Sequence, residues 1–526
     1  MSPSNPDFSN RKLGLLVAAN AVPMLVLFIW QAYTRNIDGD EGLYLEAVRQ
    51  ILEGKRLYFD FFYQQMPLLP YIYAGWAKLF GLSLLSARWL SLLFFLGAGV
   101  WTTAYVGKRC RDPLLICLVA LLYYASGMVL AWAPVFKTHP LNVFCLVGSA
   151  ICLLEWRGGG RVSLTRVVLA AALLGVGINS RLTLGPYAVF FAGFVFFGNP
   201  AHRWRDTLAF TLVVAAVSIP TFYFFWQDPD QFLRFNLTYH TQIFPGVVGV
   251  EKRVATAGKV FLPIQMFLLL GMAQLGLLMR ARSGWGAFLA DDTSFWGVAL
   301  ALFIAVHMSA AEPFTQYFSA AVPFAILAGL PVLEWIRARL RGWGMALFAL
   351  MVVAYLSGSR GTQYFEIFSM GSMDKSWQLD TILPASQAAR RLIPPGAECL
   401  TWWPGYAVFA GCRSPAGMEN HMRNHAIDVG IPGSTLEKYK MMSDERLAAD
   451  LSERRFPYLI EGVYRIRGPF ADYIDVLIEE NYRLMTQVRG VKIYRARSKP
   501  LKQVIGETLQ RAPRKGEGKR SPEVGM

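Results

Sequence analysis

The sequence predicts a polytopic α-helical membrane protein that ends in a small α/β domain. Of its 526 residues, 54% are hydrophobic and only 17% are charged, and the mean hydropathy is +0.33. A chain of this length and polarity is too apolar for a soluble protein and too long for a single membrane span. The third observation is a change of composition: apolar runs recur up to about residue 357, and shorter, mixed segments follow.

Apolar windows predict the membrane spans. About 17–22 apolar residues suffice for a helix to cross a bilayer, and we predict about eleven such helices. The windows lie near Leu15–Tyr33, Leu84–Val106, Leu114–Trp132, Leu141–Leu154, Val167–Asn179, Leu184–Phe197, Leu208–Trp226, Val260–Met279, Phe295–Ser309, Phe318–Trp335 and Met345–Leu356.

The net charge of +16 would suit a nucleic-acid partner, but the basic residues follow the membrane pattern instead. Every short loop on one side is basic, through Arg11, Lys12, Lys108, Arg109, Arg111, Arg157, Arg161, Arg166, Arg203, Arg205, Arg280, Arg282, Arg337, Arg339 and Arg341. By the positive-inside rule that side is the cytoplasm. We therefore predict a multi-pass protein of a cytoplasmic membrane, anchored by span one, with its N-terminus inside, no nucleic-acid partner, and everything after about Ser357 outside.

Two outside loops are large enough to build a site. The loop between spans one and two carries two helical patterns, Glu41–Leu52 before Gly54 and Pro67–Phe80 before Gly81. Their Tyr and Trp residues favour helices that lie in the membrane interface. A second loop, about Gln227 to Lys259, is long enough to fold over a site.

The chain divides into a membrane domain (1–357), an outside α/β domain (358–498) and a basic, disordered tail (499–526). The outside domain alternates strand-like and helix-like segments; the predicted strands are Glu398–Trp402, Tyr458–Glu461 and Val491–Tyr494, and the predicted helices are Ser386–Leu392, Asp444–Glu453 and Phe470–Glu480. Cys399 and Cys412 both lie in this domain, where they form either a disulfide or two buried thiols.

Three carboxylates, Asp38, Asp40 and Glu41, follow the first span directly. An ionised group at a membrane surface costs free energy unless it faces water, a cation or a substrate, so such a cluster is a candidate functional site. The competing interpretation is a helix N-cap, with Asp38 or Asp40 capping the helix that follows. The two roles are compatible.

Motifs in a fixed order resemble the GT-C glycosyltransferases. The chain carries Asp40-Glu41 before an interfacial helix, a Pro-Leu-Leu helix ending at Gly81, Ser86-Ala-Arg88, Thr138-His-Pro-Leu141, Gly175 to Pro186, and Glu312 to Pro323. They resemble the bacterial branch related to protein O-mannosyltransferases, lipid A aminoarabinose transferases and rhizobial galacturonosyltransferases. The resemblance covers about Lys12 to Leu356.

The resemblance implies the GT-C fold and an enzyme that transfers a sugar, with inversion, from a polyprenyl-phosphate carrier of the undecaprenyl type to an envelope lipid, glycan or protein. It assigns Asp40 as the general base, with Glu41 orienting the acceptor or the helix and Asp38 as a weaker candidate. Arg181 would hold the carrier phosphate, because an Arg can bind two phosphate oxygens. The alternative for Arg181 is a side chain reaching towards lipid headgroups.

Several positions depart from the family pattern. Gln65 stands where lipid A transferases have a Lys, so a phosphate contact must come from Lys55, Arg56 or Arg88 instead. His139, next but one to Lys137, replaces a frequent Asp, which argues against a metal held by two carboxylates; no cofactor is predicted and a divalent cation has no support. Gln316 and Tyr317 are candidate contacts to sugar or carrier, with core packing as the alternative for Tyr317.

Two other classes of function remain open. A lipid-linked-sugar flippase or transporter would need charges near mid-span and broken helices in repeats, and a scaffold of envelope assembly could keep the fold without a base. The absence of Gly-x-x-x-x-Gly-Lys, His-Glu-x-x-His and Gly-x-Ser-x-Gly motifs disfavours an ATP-driven pump, a zinc protease and a serine hydrolase.

Overall fold

A computed structural model describes residues 9–158, 163–243, 249–282, 284, 291–310, 313–339, 352–353, 355–356, 375–464 and 470–498. The predicted eleventh span falls largely outside this part of the chain, as do the domain boundary near residue 358 and the basic tail.

The first part of the chain is helical. Its α-helices are α1 Asn10–Thr34, α2 Gly39–Leu52, α3 Leu68–Phe80, α4 Leu84–Cys110, α5 Pro113–Tyr124, α6 Gly127–Trp132, α7 Thr138–Gly158, α8 Leu164–Ser180, α9 Gly185–Gly198, α10 Arg203–Val217, α11 Ile219–Gln227, α12 Pro229–Leu233, α13 Tyr239–Ile243, α14 Val250–Phe261, α15 Ile264–Ala281, α16 Asp292–Met308, α17 Ala321–Ala328 and α18 Leu330–Ala338. Single turns of 3₁₀-helix occupy Leu182–Leu184, Thr315–Ala320 and Lys375–Trp377, and Arg234–Thr238 is a π-helical turn.

Four of the described helices, α1, α4, α7 and α15, are individually long and apolar enough to cross a membrane. Two predicted spans are instead bent pairs: α10 and α11 meet at 53°, and the segment Thr315–Ala328 meets α18 at 43°. Pro220 and Pro331 stand at the second position after each break, where a proline lacks the N–H of the helical ladder and clashes with the preceding turn. Shorter apolar helices lie at Pro113–Tyr124, Leu164–Ser180, Leu182–Gly198 and Asp292–Met308.

The loop between α1 and α4 contains the two helices that the sequence predicts. Asp38 caps α2 in a capping box: its carboxylate accepts from the N–H of Asp40 at 3.0 Å, and Glu41 accepts from the N–H of Asp38 at 2.9 Å. α3 ends at Gly81, whose φ of 80° suits a residue without a side chain. Both predicted helices of this loop are therefore confirmed.

The C-terminal domain, residues 375–498 as described, contains a four-stranded sheet in the order β1-β2-β4-β3. The strands are β1 Cys399–Thr401, β2 Tyr458–Glu461, β3 Tyr482–Val488 and β4 Val491–Ala496, and the helices are α19 Leu379–Leu392, α20 Pro404–Ala410, α21 Met422–Asp428, α22 Gly433–Lys438, α23 Asp444–Ser452 and α24 Ala471–Asn481. β1 and β2 are parallel, whereas β4 pairs antiparallel with both β2 and β3. The sequence predicts β1, β2 and β4 but misses β3.

Of the two alternatives for Cys399 and Cys412, the structure has two buried thiols and no disulfide between them. Burial and a hydrogen bond to Cys412 raise the pKa of Cys399, so the pair is a neutral part of the domain's core rather than a covalent link.

The C-terminal domain packs directly on the start of α2. The indole N–H of Trp403 donates to the carbonyl of Gly39 at 2.8 Å, and the N–H of Ile37 donates to the carbonyl of Trp377 at 2.9 Å. The loop after α11 also contacts the domain, since the hydroxyl of Tyr239 donates to the carbonyl of Met422 at 3.3 Å. The C-terminal domain therefore contacts both of the large loops.

Candidate active site

Asp40 is the most accessible carboxylate of the acidic cluster. Its side chain is 28% exposed, against 18% for Asp38 and 0% for Glu41. Because Asp38 supplies the cap of α2, Asp40 is not used for capping and both of its oxygens are available for other contacts. Asp38 thus caps the helix and Asp40 does not.

Lys137 forms ion pairs with both Asp38 and Asp40. Its Nζ lies 2.9 Å from Asp38 Oδ1 and 2.9 Å from Asp40 Oδ2, and 5.4 Å from the ring centre of Trp132. Burial opposes the charge of Asp40, but Lys137 and His421 outweigh it and hold the pKa of Asp40 well below its usual range. Burial likewise opposes the charge of Lys137, and the two aspartates still raise its pKa. Asp40 is therefore an ionised carboxylate next to a fixed positive charge.

Glu41 has a structural task. Its carboxylate receives Arg88 Nε at 2.8 Å and Nη2 at 2.7 Å, and neither side chain is exposed. The other N–H groups of Arg88 donate to the carbonyls of Ala32, Arg35 and Asn36. All five donors of the guanidinium are thus used, which corrects the expectation that Arg88 contacts a phosphate. Glu41 orients α2 by fixing it to α1 and α4.

A second cluster of polar side chains surrounds Arg181. Its Nη1 donates to the hydroxyl of Thr138 at 3.1 Å and lies 3.4 Å from His139 Nδ1. The guanidinium carbon stacks 4.0 Å above the ring centre of Tyr317, so Tyr317 orients Arg181. Gln316 precedes it in the same 3₁₀ turn and is half-buried.

A small cavity of about 10 Å³ lies at this second cluster. Its polar lining consists of His139, Asn142, Arg181, His307, Tyr317 and Ser319. Lys137 and His139 stand on either side of Thr138 at the start of α7, so the carboxylate cluster and the cavity adjoin. Sequence reasoning did not select His307, which lies at the end of an otherwise apolar helix.

Gln65 contacts its neighbours mainly through its backbone. Its carbonyl accepts from the hydroxyl of Tyr58 at 2.5 Å, and its side-chain Oε1 is buried with no partner among the residues that the structure describes. The neighbouring carbonyl of Gln64 contacts His240 Nε2 at 2.7 Å. Burial and, to a smaller extent, the charge of Arg181 lower the pKa of His240, and the hydrogen bond to Gln64 opposes this shift.

The C-terminal domain supplies a residue that the sequence does not reveal. His421 Nε2 lies 3.5 Å from Asp40 Oδ1. Within the described ranges, no group of three or more His, Cys, Asp or Glu side chains is arranged to hold a metal ion.

Comparison with known proteins supports the fold. No family model matches the sequence, and no curated protein matches it either. Among solved structures, ArnT from Cupriavidus metallidurans in the apo state has a TM-score of 0.63 at 13% identity, over 91% of this chain and 97% of that one. The same enzyme bound to undecaprenyl phosphate has a TM-score of 0.62 at 14% identity, over 92% and 98%.

A more distant similarity is to the oligosaccharyltransferase AglB from Archaeoglobus fulgidus, solved with an inhibitory peptide and a dolichol-phosphate. Its TM-score is 0.51 at 14% identity, over 92% of this chain and 75% of that one. These structures are GT-C glycosyltransferases, and the present chain has the GT-C fold. At such identities the similarity concerns the fold, and the chemistry must be argued from the residues themselves.

Proposed function

We propose that this protein is an inverting glycosyltransferase that takes a sugar from a polyprenyl-phosphate carrier and passes it to a hydroxyl of an envelope lipid, glycan or protein. The observation that carries the proposal is Asp40: an accessible, ionised carboxylate held against Lys137 at 2.9 Å, beside the cavity of Arg181. ArnT with undecaprenyl phosphate and AglB with a dolichol-phosphate show that the fold accepts such carriers.

The reaction needs one base and a stabilised leaving group. The acceptor oxygen attacks the anomeric carbon from the face opposite the phosphate, and Asp40 takes the acceptor's proton. The bond between the anomeric carbon and the phosphate oxygen breaks, and the phosphate leaves with the electron pair. Attack from the opposite face inverts the anomeric centre.

Cationic groups suit the departing phosphate. Arg181 can offer paired N–H donors to phosphate oxygens, and its stacking on Tyr317 at 4.0 Å limits its freedom before the carrier binds. Lys137 keeps Asp40 ionised and adds positive charge between the two reacting partners. His139, Gln65 and Gln316 would complete the walls of the site.

We further propose that the site faces the outside of a bacterial cytoplasmic membrane, with the N-terminus inside. Ion pairs connect the basic loops at the other end of the helices: Arg157 Nη2 lies 2.7 Å from Asp292 Oδ1, and Arg337 Nε lies 2.9 Å from Asp112 Oδ2. The basic loops lie at one end of the helices and the site lies at the other end, which supports this orientation.

The test compares envelopes with and without the gene by mass spectrometry of glycolipids and glycans. A sugar lost on deletion and restored by the wild-type gene identifies donor and acceptor class. Asp40→Asn should leave expression unchanged but reduce transfer by at least about 10²-fold, the scale of general-base catalysis.

Asp60→Asn, which changes an exposed carboxylate of the same loop, is the matched control and should transfer normally. Normal transfer by Asp40→Asn would refute the proposal, because a flippase or a scaffold does not need this base.

A further inference from the structure

The C-terminal domain fixes the backbone immediately before Asp40. Trp377 accepts from Ile37 and Trp403 donates to Gly39, at 2.9 and 2.8 Å. A Cβ on Gly39 would lie only 2.2 Å from the hydroxyl of Tyr464, so the domain approaches the catalytic loop as closely as a glycine allows.

His421 adds a contact to the reactive carboxylate itself. Its Nε2 lies 3.5 Å from Asp40 Oδ1, and its ring stacks on Tyr464 with 4.6 Å between centroids and 8° between planes. The distance is longer than that of an ordinary hydrogen bond, and the contact suits the tautomer with the proton on Nε2, because a carboxylate is only an acceptor. Nδ1 is buried and has no partner among the described residues, so the ring is fixed by Asp40 and by its contacts with the rings of Tyr464 and His425.

The contact is not needed to dock the domain. Neutral hydrogen bonds and aromatic packing already hold it on α2, whereas placing a buried imidazole against a charged carboxylate adds a desolvation cost. Lys137 approaches Asp40 Oδ2 and His421 approaches Oδ1, so the carboxylate is held from two sides. Such an arrangement restricts the rotation of the base.

We propose that His421 is a positioning residue for Asp40, and that the C-terminal domain is thereby part of the catalytic unit. This inference rests on the proposed function. His421 holds the carboxylate in the orientation in which it can receive the acceptor's proton, and a base out of position loses much of its effect even when it remains ionised.

The experiment uses the full-length protein in a strain that lacks its own copy, with the sugar-modified envelope component as the readout. His421→Phe keeps the stack on Tyr464 but loses the N–H, and it should reduce transfer by at least about tenfold. His421→Gln can place its Nε2 near the same oxygen and should restore most of the activity. His421→Asn is too short and should behave like His421→Phe. The matched control, His202→Phe, changes an exposed histidine just before α10 and should have no effect.

Two further measurements separate positioning from folding. Each purified variant should keep its thermal unfolding temperature and its affinity for undecaprenyl phosphate, which serves as the probe. In an Asp40→Asn background, His421→Phe should cause no additional loss, because a residue acting through Asp40 has nothing left to position.

Wild-type transfer by folded His421→Phe or His421→Asn would overturn the proposal and leave the proposed function intact. Normal transfer by Asp40→Asn would instead refute the proposed function itself. If His421→Phe does not fold, the comparison of Gln with Asn decides: equal, wild-type activity in both contradicts a positioning role.

Discussion

Asp40 and Glu41 are adjacent in the sequence but have different tasks. Consecutive residues on a helix do not face each other, so Asp40 faces Lys137 and solvent while Glu41 faces the interior. Both carboxylate oxygens of Glu41 accept hydrogen bonds from Arg88, at 2.7 and 2.8 Å. The side chain of Asp40, in contrast, is 28% exposed. Only the accessible carboxylate can meet an acceptor hydroxyl.

The sequence predicted part of this site. The acidic cluster could be found because carboxylates are conspicuous after an apolar span. The assignment of Arg88 was wrong because nothing in Ser-Ala-Arg indicates that five acceptors converge on that side chain. His421 could not be predicted, since its neighbour Asp40 lies in another domain and no local pattern marks the contact.

Lys137→Met should make transfer sensitive to acid. Burial favours the neutral form of Asp40, and Lys137 is the largest opposing influence, so its removal raises the pKa of Asp40. Because Asp40 must be ionised to accept a proton, activity is lost as the pH falls through that pKa. The wild type should show no loss from Asp40 above about pH 5, since an unperturbed Asp titrates near 3.9.

The measurement is the transfer rate of both proteins between about pH 5 and 8. The pKa of a desolvated carboxyl group rises into this range when its cationic partner is removed. Lys78→Met, an exposed lysine on α3, is the control and should follow the wild-type profile. Identical profiles for wild type and Lys137→Met would contradict the role of Lys137 in keeping Asp40 charged.

Arg181→Ala should weaken binding of the carrier. A hydrogen bond to a charged group contributes about 1.5–3 kcal/mol, which corresponds to a tenfold or larger change in dissociation constant. Arg181→Lys should recover part of it, because Lys keeps the charge but loses the paired donors.

The assay is binding of undecaprenyl phosphate to the purified protein, with Arg483→Ala on the exposed edge strand as the control. An unchanged affinity in Arg181→Ala would favour the alternative that Arg181 only reaches towards lipid headgroups.

At the scale of elements, strong local signals were predictive and weak ones were not. α2 and α3 both have helical spacing and a glycine after their last turn, α2 also has a side-chain cap, and both were predicted. β3 was missed because it follows α24 without an intervening turn residue, and because its side chains after Tyr482 are not fully buried. Among the described strands it lies at the edge and pairs with β4 alone, with an irregular register between Leu484 and Thr486.

Gly42→Ala should separate α2 from the C-terminal domain. A Cβ at this position would lie 2.5 Å from the ring of Trp403, and relieving such overpacking typically costs about 1–3 kcal/mol. The unfolding temperature should therefore fall, and transfer should fall with it because the segment around Asp40 shifts. Gly75→Ala is the matched control: it also lies in a helix, with nothing within 4 Å of the added Cβ.

Thermal unfolding in detergent measures both variants. Gly75→Ala should be neutral or more stable, since Ala in a helix is favoured over Gly by roughly 1 kcal/mol. Equal unfolding temperatures for the two variants would mean that the contact between Gly42 and Trp403 does not hold the domain.

At the scale of the whole molecule, α4 connects two chemically different ends. Arg88 near its start holds Glu41, and Arg109 near its end pairs with Asp292. Twenty-one residues of helix separate them, or roughly 30 Å at 1.5 Å per residue, which matches the hydrocarbon thickness of a bilayer. The sequence could predict this polarity because basic loops reflect topology, but it could not show that the loops are joined by ion pairs.

This polarity makes the orientation testable by labelling. We expect Asp428→Cys, exposed in the C-terminal domain, to react with a membrane-impermeant maleimide added to spheroplasts. Ala201→Cys, exposed in a loop at the basic end, should react only after the membrane is permeabilised. Cys110 and Cys117 are only partly buried, so both are first replaced by Ser. Cys399 and Cys412 are buried and should remain unlabelled in the folded protein. Labelling of Ala201→Cys in intact spheroplasts would reverse the orientation and place Asp40 on the cytoplasmic side, where the proposed acceptors of the envelope are not reached.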